Sequence, residues 1–319
     1  MPAPERVPPR SVTMVELLTK GELTVRGQIR EASNAVLLCD VSYEGHEASC
    51  VYKPVAGERP LWDFPDGTLA QREVAAYEVS EATGWGLVPP TVLREGPYGE
   101  GMCQLWIDVD ADADAGADAD VEPGQGSSPE RGQGQGQGEP GADRSDADRS
   151  QADPALAGSA GLLALVEPEA PPEGWKPIGL AEVAEGRTAL LVHRDDPRLR
   201  RLAVLDAVIN NADRKGGHLL PAPDGRLYGI DHGVTFNAEN KLRTLLWGWA
   251  GDELTAEAKD VLAGLAAALA EDGVLTVRLA ELITPAETRA VRERVAALLA
   301  SGRHPEPGGE WPAIPWPPV

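Results

Sequence analysis

The stretch LRRLAVLDAVINNADRKGGHLLPAPDGRLYGIDHGVTF, Leu199 to Phe236, decides the fold. Asp196 and Pro197 just before it supply an N-cap and a first helical residue. Leu199, Leu202, Leu205, Val208 and Ile209 then recur at a helical period that buries one side, and the helix is expected to end near Asn210. A short polar loop follows, Asn211-Ala-Asp213-Arg214-Lys215-Gly-Gly-His218. Leu219 and Leu220, a turn at Asp224-Gly225, and Leu227-Tyr-Gly-Ile230 then read as a β-hairpin. Directly after its second strand stands Asp231-His232-Gly233.

A hairpin brings its two ends together, so Asp213 and His218, before the first strand, are expected beside Asp231, after the second. Two carboxylates and an imidazole on one point suit a divalent cation and a proton acceptor. An ordinary helix and hairpin with solvated turn acids is the other reading of the same residues.

The arrangement resembles the catalytic segment of the atypical branch of the protein-kinase-like superfamily. It is most similar to the actinobacterial phosphatidylinositol 3-/4-kinase-like family, which is related to HipA-like kinases. In that branch an Asp-Arg loop follows a helix, a metal-binding Asn stands five residues after the Asp, and a hairpin leads to an Asp-x-Gly metal motif. Asp213-Arg214 and Asp231-His232-Gly233 match in order and spacing, whereas His218 occupies the Asn position. The resemblance implies an α+β, two-lobed protein-kinase-like fold, with an antiparallel N-lobe sheet and a mainly helical C-lobe. It also implies ATP with Mg²⁺ or Mn²⁺, catalytic roles for Asp213 and Arg214, and metal ligation by Asp231 and His218.

Upstream, after a tail at residues 1–20 in which Met14 to Leu18 reads as a helical turn, three segments have strand character: Leu23 to Ile29, Ala35 to Val41 and Ala48 to Tyr52. The connection Glu31-Ala-Ser33-Asn34 lies where the family covers the ATP phosphates. Ser33 and Asn34 are candidates by position, and a polar hairpin turn is the alternative. Lys53 closes the third strand, and the resemblance gives it the ATP phosphates, with a partner Glu on the next helix. That helix runs from Thr68 to Ala82. Glu73 stands next to its apolar positions Val74 and Tyr77, with Glu78 and Glu81 as rival acids, and Trp62-Asp63-Phe64-Pro65 before it reads as packing. Leu87 to Leu93 and Gly101 to Ile107 are two further strands. The second takes the place of the kinase hinge, so Gln104, Leu105 and Trp106 are candidate adenine-binding residues or a plain core strand. Residues 21–107 form the expected N-lobe.

From residue 108 to 157, alternating Asp and Ala give way to Gly-Gln repeats, a composition that buries too little apolar surface to order itself. The EF-hand pattern is missing from its spaced Asp residues. The expected C-lobe, 158–302, resumes with Gly161 to Val166, a Pro-rich turn at Trp175 and a strand from Thr188 to His193, with His193 read as a surface residue. After Phe236 a short segment carrying Lys241 and Arg243 lies where kinases keep the activation or substrate loop. Leu254 to Ala270 is helical, and Thr284-Pro-Ala-Glu287 is a capping box that opens a helix to about Ala300. The Pro- and Trp-rich tail, 303–319, either docks on the surface or stays mobile.

The formal net charge of −22 over 319 residues argues against nucleic acid and stable association with anionic membranes. Cys39, Cys50 and Cys103 form no CxxC pair, which indicates buried thiols. No apolar signal core or membrane span is visible, so a cytoplasmic protein is expected. The resemblance implies ATP-dependent phosphoryl transfer to a hydroxyl, and the net charge favours a protein or small polar acceptor over a lipid. A nucleotide-binding pseudokinase scaffold and an AMP transferase on the same fold remain the alternatives.

Overall fold

The computed structural model describes residues 11–29, 34–109, 161–184, 187–308 and 312–318. The acidic insertion therefore lies outside the described residues, apart from Asp108 and Val109.

The N-lobe is a five-stranded antiparallel sheet in the order β1-β2-β3-β5-β4. Its strands are β1 (Glu22–Gln28), β2 (Leu37–Tyr43), β3 (His46–Pro54), β4 (Thr91–Gly96) and β5 (Gly99–Leu105). Alternation along β3 turns Cys50 and Tyr52 to one face and Lys53 to the other. The first face packs with Cys39, Val41, Val92 and Cys103 under Leu17 and Leu18 of α1 (Met14–Lys20). This corrects the expected N-terminal tail, because residues 14–20 belong to the lobe and Arg94 fastens them through the Leu18 and Gly21 carbonyls. The three cysteines are free and buried, as their apolar setting suggested. β5 crosses β3 closely at Gly101, where a Cβ would stand 2.5 Å from the Lys53 carbonyl oxygen.

Helix α2 (Leu69–Thr83) lies on the Lys53 side of the sheet, and Thr68 caps it in a capping box with Gln71. A second cap, unannounced by any local pattern, is Glu58, whose two carboxylate oxygens accept from the Leu69 and Ala70 N–H groups at 2.9 and 2.8 Å. In the preceding loop Phe64 is buried but Trp62 is 84% exposed, so only part of that segment packs. The strand expected over 87–93 begins only at Thr91, because the Leu87 and Val88 amides turn instead onto the Ser80 hydroxyl. The hinge strand ends at Leu105, short of Ile107.

The C-lobe holds α3 (Pro197–Ile209), α4 (Ala256–Ala268), α5 (Val274–Leu279) and α6 (Pro285–Ser301). The apolar stripe of α3, Leu199, Leu202, Leu205, Val208 and Ile209, is buried at every position, each residue contributing about 1.5–3 kcal/mol. The helix stops where Asn210 enters the left-handed region at φ 53°. β9 (Leu219–Pro221) and β10 (Leu227–Gly229) form the expected hairpin. A second, three-stranded antiparallel sheet stands before α3, in the order β6-β8-β7. It comprises β6 (Leu163–Val166), β7 (Trp175–Ala184) and β8 (Arg187–Arg194). The expected Pro-rich turn precedes β7, a strand the sequence did not announce, whose pairing slips between Pro177 and Gly179.

His193, read from sequence as a surface residue, is fully buried. Its Nε2 accepts from the Gly248 N–H at 3.0 Å, its Nδ1 faces the Arg194 carbonyl at 2.8 Å, and the ring packs 4.3 Å from Trp249. Ala313 of the tail accepts from Thr244 N–H and Trp247 Nε1, so residues 312–318 dock on this lobe. The whole is the α+β arrangement expected, an antiparallel sheet with α2 in the first lobe and a largely helical second lobe that also carries a small sheet and a hairpin.

Candidate active site

The site forms where the face of the N-lobe sheet that carries Lys53 and α2 meets the segment after the hairpin. Lys53 Nζ donates to Glu73 Oε1 at 2.7 Å and to Asp231 Oδ1 at 2.9 Å, joining β3, α2 and the segment after β10. Burial opposes the Lys53 charge, but the Asp231 and Glu73 carboxylates outweigh it and raise its pKa. Lys53 in turn holds the Asp231 carboxyl well below the usual range against burial. Burial pushes the Glu73 carboxyl up, opposed by Lys53 and by the His232 N–H, which donates to Glu73 Oε2 at 2.9 Å. The rival acids lie elsewhere: Glu78 pairs with Arg278 at 2.7 Å, and Glu81 is exposed.

Asp231 stands at φ +60°, a conformation that Asp tolerates better than most side chains. Arg214 enforces this turn from inside. It is wholly buried, donates to the Ile230 carbonyl at 2.8 Å, lies 2.6 Å from His232 Nε2, and is paired with Asp206 at 2.9 Å. A residue so enclosed cannot touch a substrate. The catalytic role expected of Arg214 is therefore corrected to a positioning one. Asp206, also wholly buried, takes bonds from Asn211 and Thr244 as well. It escaped the sequence reading, although its place four residues after Leu202 and three before Ile209 puts it on the buried side of α3, where a lone acid demands a partner.

The expected convergence of Asp213, His218 and Asp231 is only partly formed. His218 Nε2 lies 3.5 Å from Asp231 Oδ2. Asp213 is drawn off by two cations, Arg243 at 3.0 Å and Lys215 at 3.3 Å. Among the described residues no group of three or more His, Cys, Asp or Glu is arranged to hold a metal ion. Asp231 offers a carboxylate donor that fits a Mg²⁺ or Mn²⁺ drawing its other ligands from phosphate and water, and His218 Nε2 would join it only in the tautomer with the proton on Nδ1. His218 Nδ1 accepts from the Lys215 N–H at 3.4 Å, so the neutral ring carries its proton on Nε2, toward Asp231. Burial first, and Arg214 with it, lowers the His218 pKa against the pull of Asp231, which keeps the ring neutral.

The remaining candidates separate. Ser33 lies outside the described residues. Asn34 Oδ1 accepts from the Arg59 N–H at 3.0 Å, so it holds a loop together and does not point at a phosphate. Gln104 is buried, its amide on Thr91 Oγ1 at 2.8 Å. The Leu105 and Trp106 N–H groups are already bonded to Pro90 and Ser49 carbonyls at 2.9 and 3.0 Å. The expected adenine donors at these two positions are thus occupied, because β5 lies between β3 and β4 and its end is paired on both sides.

No family model matches the sequence. Protein Rv2133c of Mycobacterium tuberculosis (strain ATCC 25618 / H37Rv) is 46% identical over 301 residues, covering 94% of each chain. Similar solved structures include the Golgi casein kinase, with a TM-score of 0.45 and 11% identity over 90% of this chain and 74% of that one. Hydra Fam20 with sugar gives 0.44 and 10% over 90% and 86%. The Golgi casein kinase with Mn/ADP bound gives 0.43 and 12% over 90% and 74%.

Proposed function

The chain belongs to the same family as the Mycobacterium tuberculosis protein Rv2133c, and from its assembled site we propose that it is an ATP-dependent phosphotransferase acting on a hydroxyl. The observation that carries this reading is Lys53, held by Glu73 on one side and Asp231 on the other. A fixed cation next to a carboxylate kept ionised is what phosphoryl transfer asks of a protein, since its work is positioning and charge neutralisation.

In this reading Lys53 grips the nucleotide phosphates. Asp231, with His218 beside it, would hold Mg²⁺ or Mn²⁺, which when bound neutralises phosphate charge. Asp213 orients the acceptor. The hydroxyl proton passes to an Asp213 oxygen and the acceptor oxygen bonds to the γ-phosphorus. The bond from that phosphorus to the bridging oxygen then breaks, its electron pair leaving on ADP. Arg214 never meets the substrate; it keeps Ile230 and His232 in place so that Asp231 faces the cleft.

A nucleotide-binding scaffold without transfer is the second reading, favoured by the clamping of Asp213 between two cations. Incubation of the full chain with Mn²⁺ and either γ-labelled or α-labelled ATP separates the readings. Label from the γ position alone supports phosphoryl transfer. Label from the α position means AMP transfer. Thermal stabilisation by Mn·ATP with label from neither leaves the scaffold.

A further inference from the structure

Asp213 is bound by more positive charge than it can neutralise. Arg243 Nη2 holds one carboxylate oxygen at 3.0 Å and Lys215 Nζ the other at 3.3 Å, while the Asn211 side chain fixes its backbone N–H at 3.0 Å. All three charged side chains are about a quarter exposed, at 24% for each cation and 26% for Asp213. Arg243 Nε is buried and has no hydrogen-bond partner among the described residues. In a chain of net charge −22, two cations therefore face one carboxylate at Asp213, and the guanidinium of one of them keeps a buried donor that no described residue uses.

From this we infer that the acceptor is itself an anion, a hydroxyl compound carrying a phosphate or carboxylate that Arg243 binds; the inference rests on the phosphotransferase reading. Guanidinium binds both oxyanions through paired donors, and solvent reaches both ion pairs, so an incoming anion can compete with Asp213 for Arg243. An incoming phosphate draws Arg243 away from Asp213 and onto itself, and the freed carboxylate oxygen takes the hydroxyl proton as the phosphoryl group transfers and ADP leaves. Without an anion the base stays clamped, so neutral hydroxyls and water are poor acceptors. Arg243 comes from the segment after Phe236, where the sequence placed a substrate loop.

The test uses the full chain, Mn²⁺ and γ-labelled ATP, with glycerol 3-phosphate and glycerol as acceptors matched in their hydroxyls. Wild type should favour the phosphorylated acceptor by tenfold or more, and Arg243→Gln should bring the ratio toward one. Equal transfer to both by wild type, or an unchanged ratio in the variant, overturns the inference. Should Arg243→Gln weaken ATP relative to ADP by a similar factor, the anion is the nucleotide's own γ-phosphate, and the inference also fails. A second readout does not need turnover: with Mn·ADP saturating, inorganic phosphate should raise the melting temperature of wild type and not of Arg243→Gln. No phosphate effect in wild type overturns the anion site. Absence of any Mn·ADP effect, with the phosphate effect intact, instead removes the phosphotransferase reading and leaves the anion site standing.

Discussion

Arg72 and Glu287 meet at 2.7 Å with their side chains only 3% and 8% exposed, which ties the N-lobe helix α2 to the C-lobe helix α6. Arg72 also donates to the Thr235 carbonyl at 2.7 Å and the Asp66 carbonyl at 2.9 Å. Its neighbour Glu73 is the residue that holds Lys53, and Thr235 lies four residues beyond Asp231. The same contact therefore braces both carboxylates on either side of Lys53. Glu287 serves twice, because its other oxygen takes the Thr284 N–H at 2.9 Å in the α6 capping box.

Arg72→Gln or Glu287→Gln should each lower stability by about 3–5 kcal/mol, since the partner is left charged and buried. Replacing both with Gln should cost less than the sum of the two single changes, because neither charge is then left without its partner. Urea unfolding measures all three; a loss under about 1 kcal/mol from the single variants would show that water already reaches the pair.

Two buried histidines set an acid limit to stability. Burial lowers both His193 and His304 to about 4, and in His304 the Arg200 guanidinium adds to the effect. An unfolded chain protonates these rings from about 6.5 downward, whereas the folded one resists until about 4. The unfolded state thus binds more protons across that window, and stability falls as pH drops through it, by roughly 3 kcal/mol per histidine. Unfolding at pH 7.5 and 4.5 should show the loss. A flat profile would mean that the rings charge in place. Gly248 enforces the His193 site, since a Cβ there would sit 2.4 Å from the imidazole Nε2.

Asp231→Asn should leave the fold intact while lowering metal-dependent turnover by on the order of a hundredfold or more. Asn adopts the φ of +60° as readily as Asp, so only the charge is removed. Losing a mere supporting partner of a metal ligand already costs about 10–100-fold. Circular dichroism and thermal shift with and without Mn·ATP separate the two effects; equal nucleotide affinity in the variant would take Asp231 out of the site.

What the sequence disclosed depended on distance along the chain. The α3 stripe, its Asp196 cap and the hairpin are local patterns, and they fold as patterned. The Lys53 and Glu73 pair spans twenty residues and was expected from the family resemblance, the apolar positions beside Glu73 serving to choose it over Glu78 and Glu81. The clamp on Asp213 was not, because Arg243 arrives from thirty residues away on an irregular segment with no period to aim it. β7 escaped because Pro177 and Gly179 break its alternation at a register shift. Leu105 and Trp106 misled because the sequence placed a strand without saying that both of its edges are paired.

His218 stands where the resembling family keeps an Asn, and its two nitrogens pull in different directions. Nδ1 accepts from the Lys215 N–H, which places the proton on Nε2, the nitrogen that faces Asp231 at 3.5 Å. As a metal ligand the ring would have to give up that proton, and an imidazole nitrogen suits Mn²⁺ better than Mg²⁺. The lowered pKa keeps the ring neutral, so the acid limb of activity should fall below about 6.5, the value of a free histidine. If the ring ligates, His218→Asn should shift the metal preference toward Mg²⁺ and flatten that limb, since an amide does not titrate. If the ring only donates to Asp231, the variant keeps the Mn²⁺ to Mg²⁺ ratio and loses a modest, metal-independent fraction of activity. The ratio of rates with the two metals, measured between pH 5.5 and 8, decides between them, and an unchanged ratio with an unchanged acid limb removes His218 from the metal set.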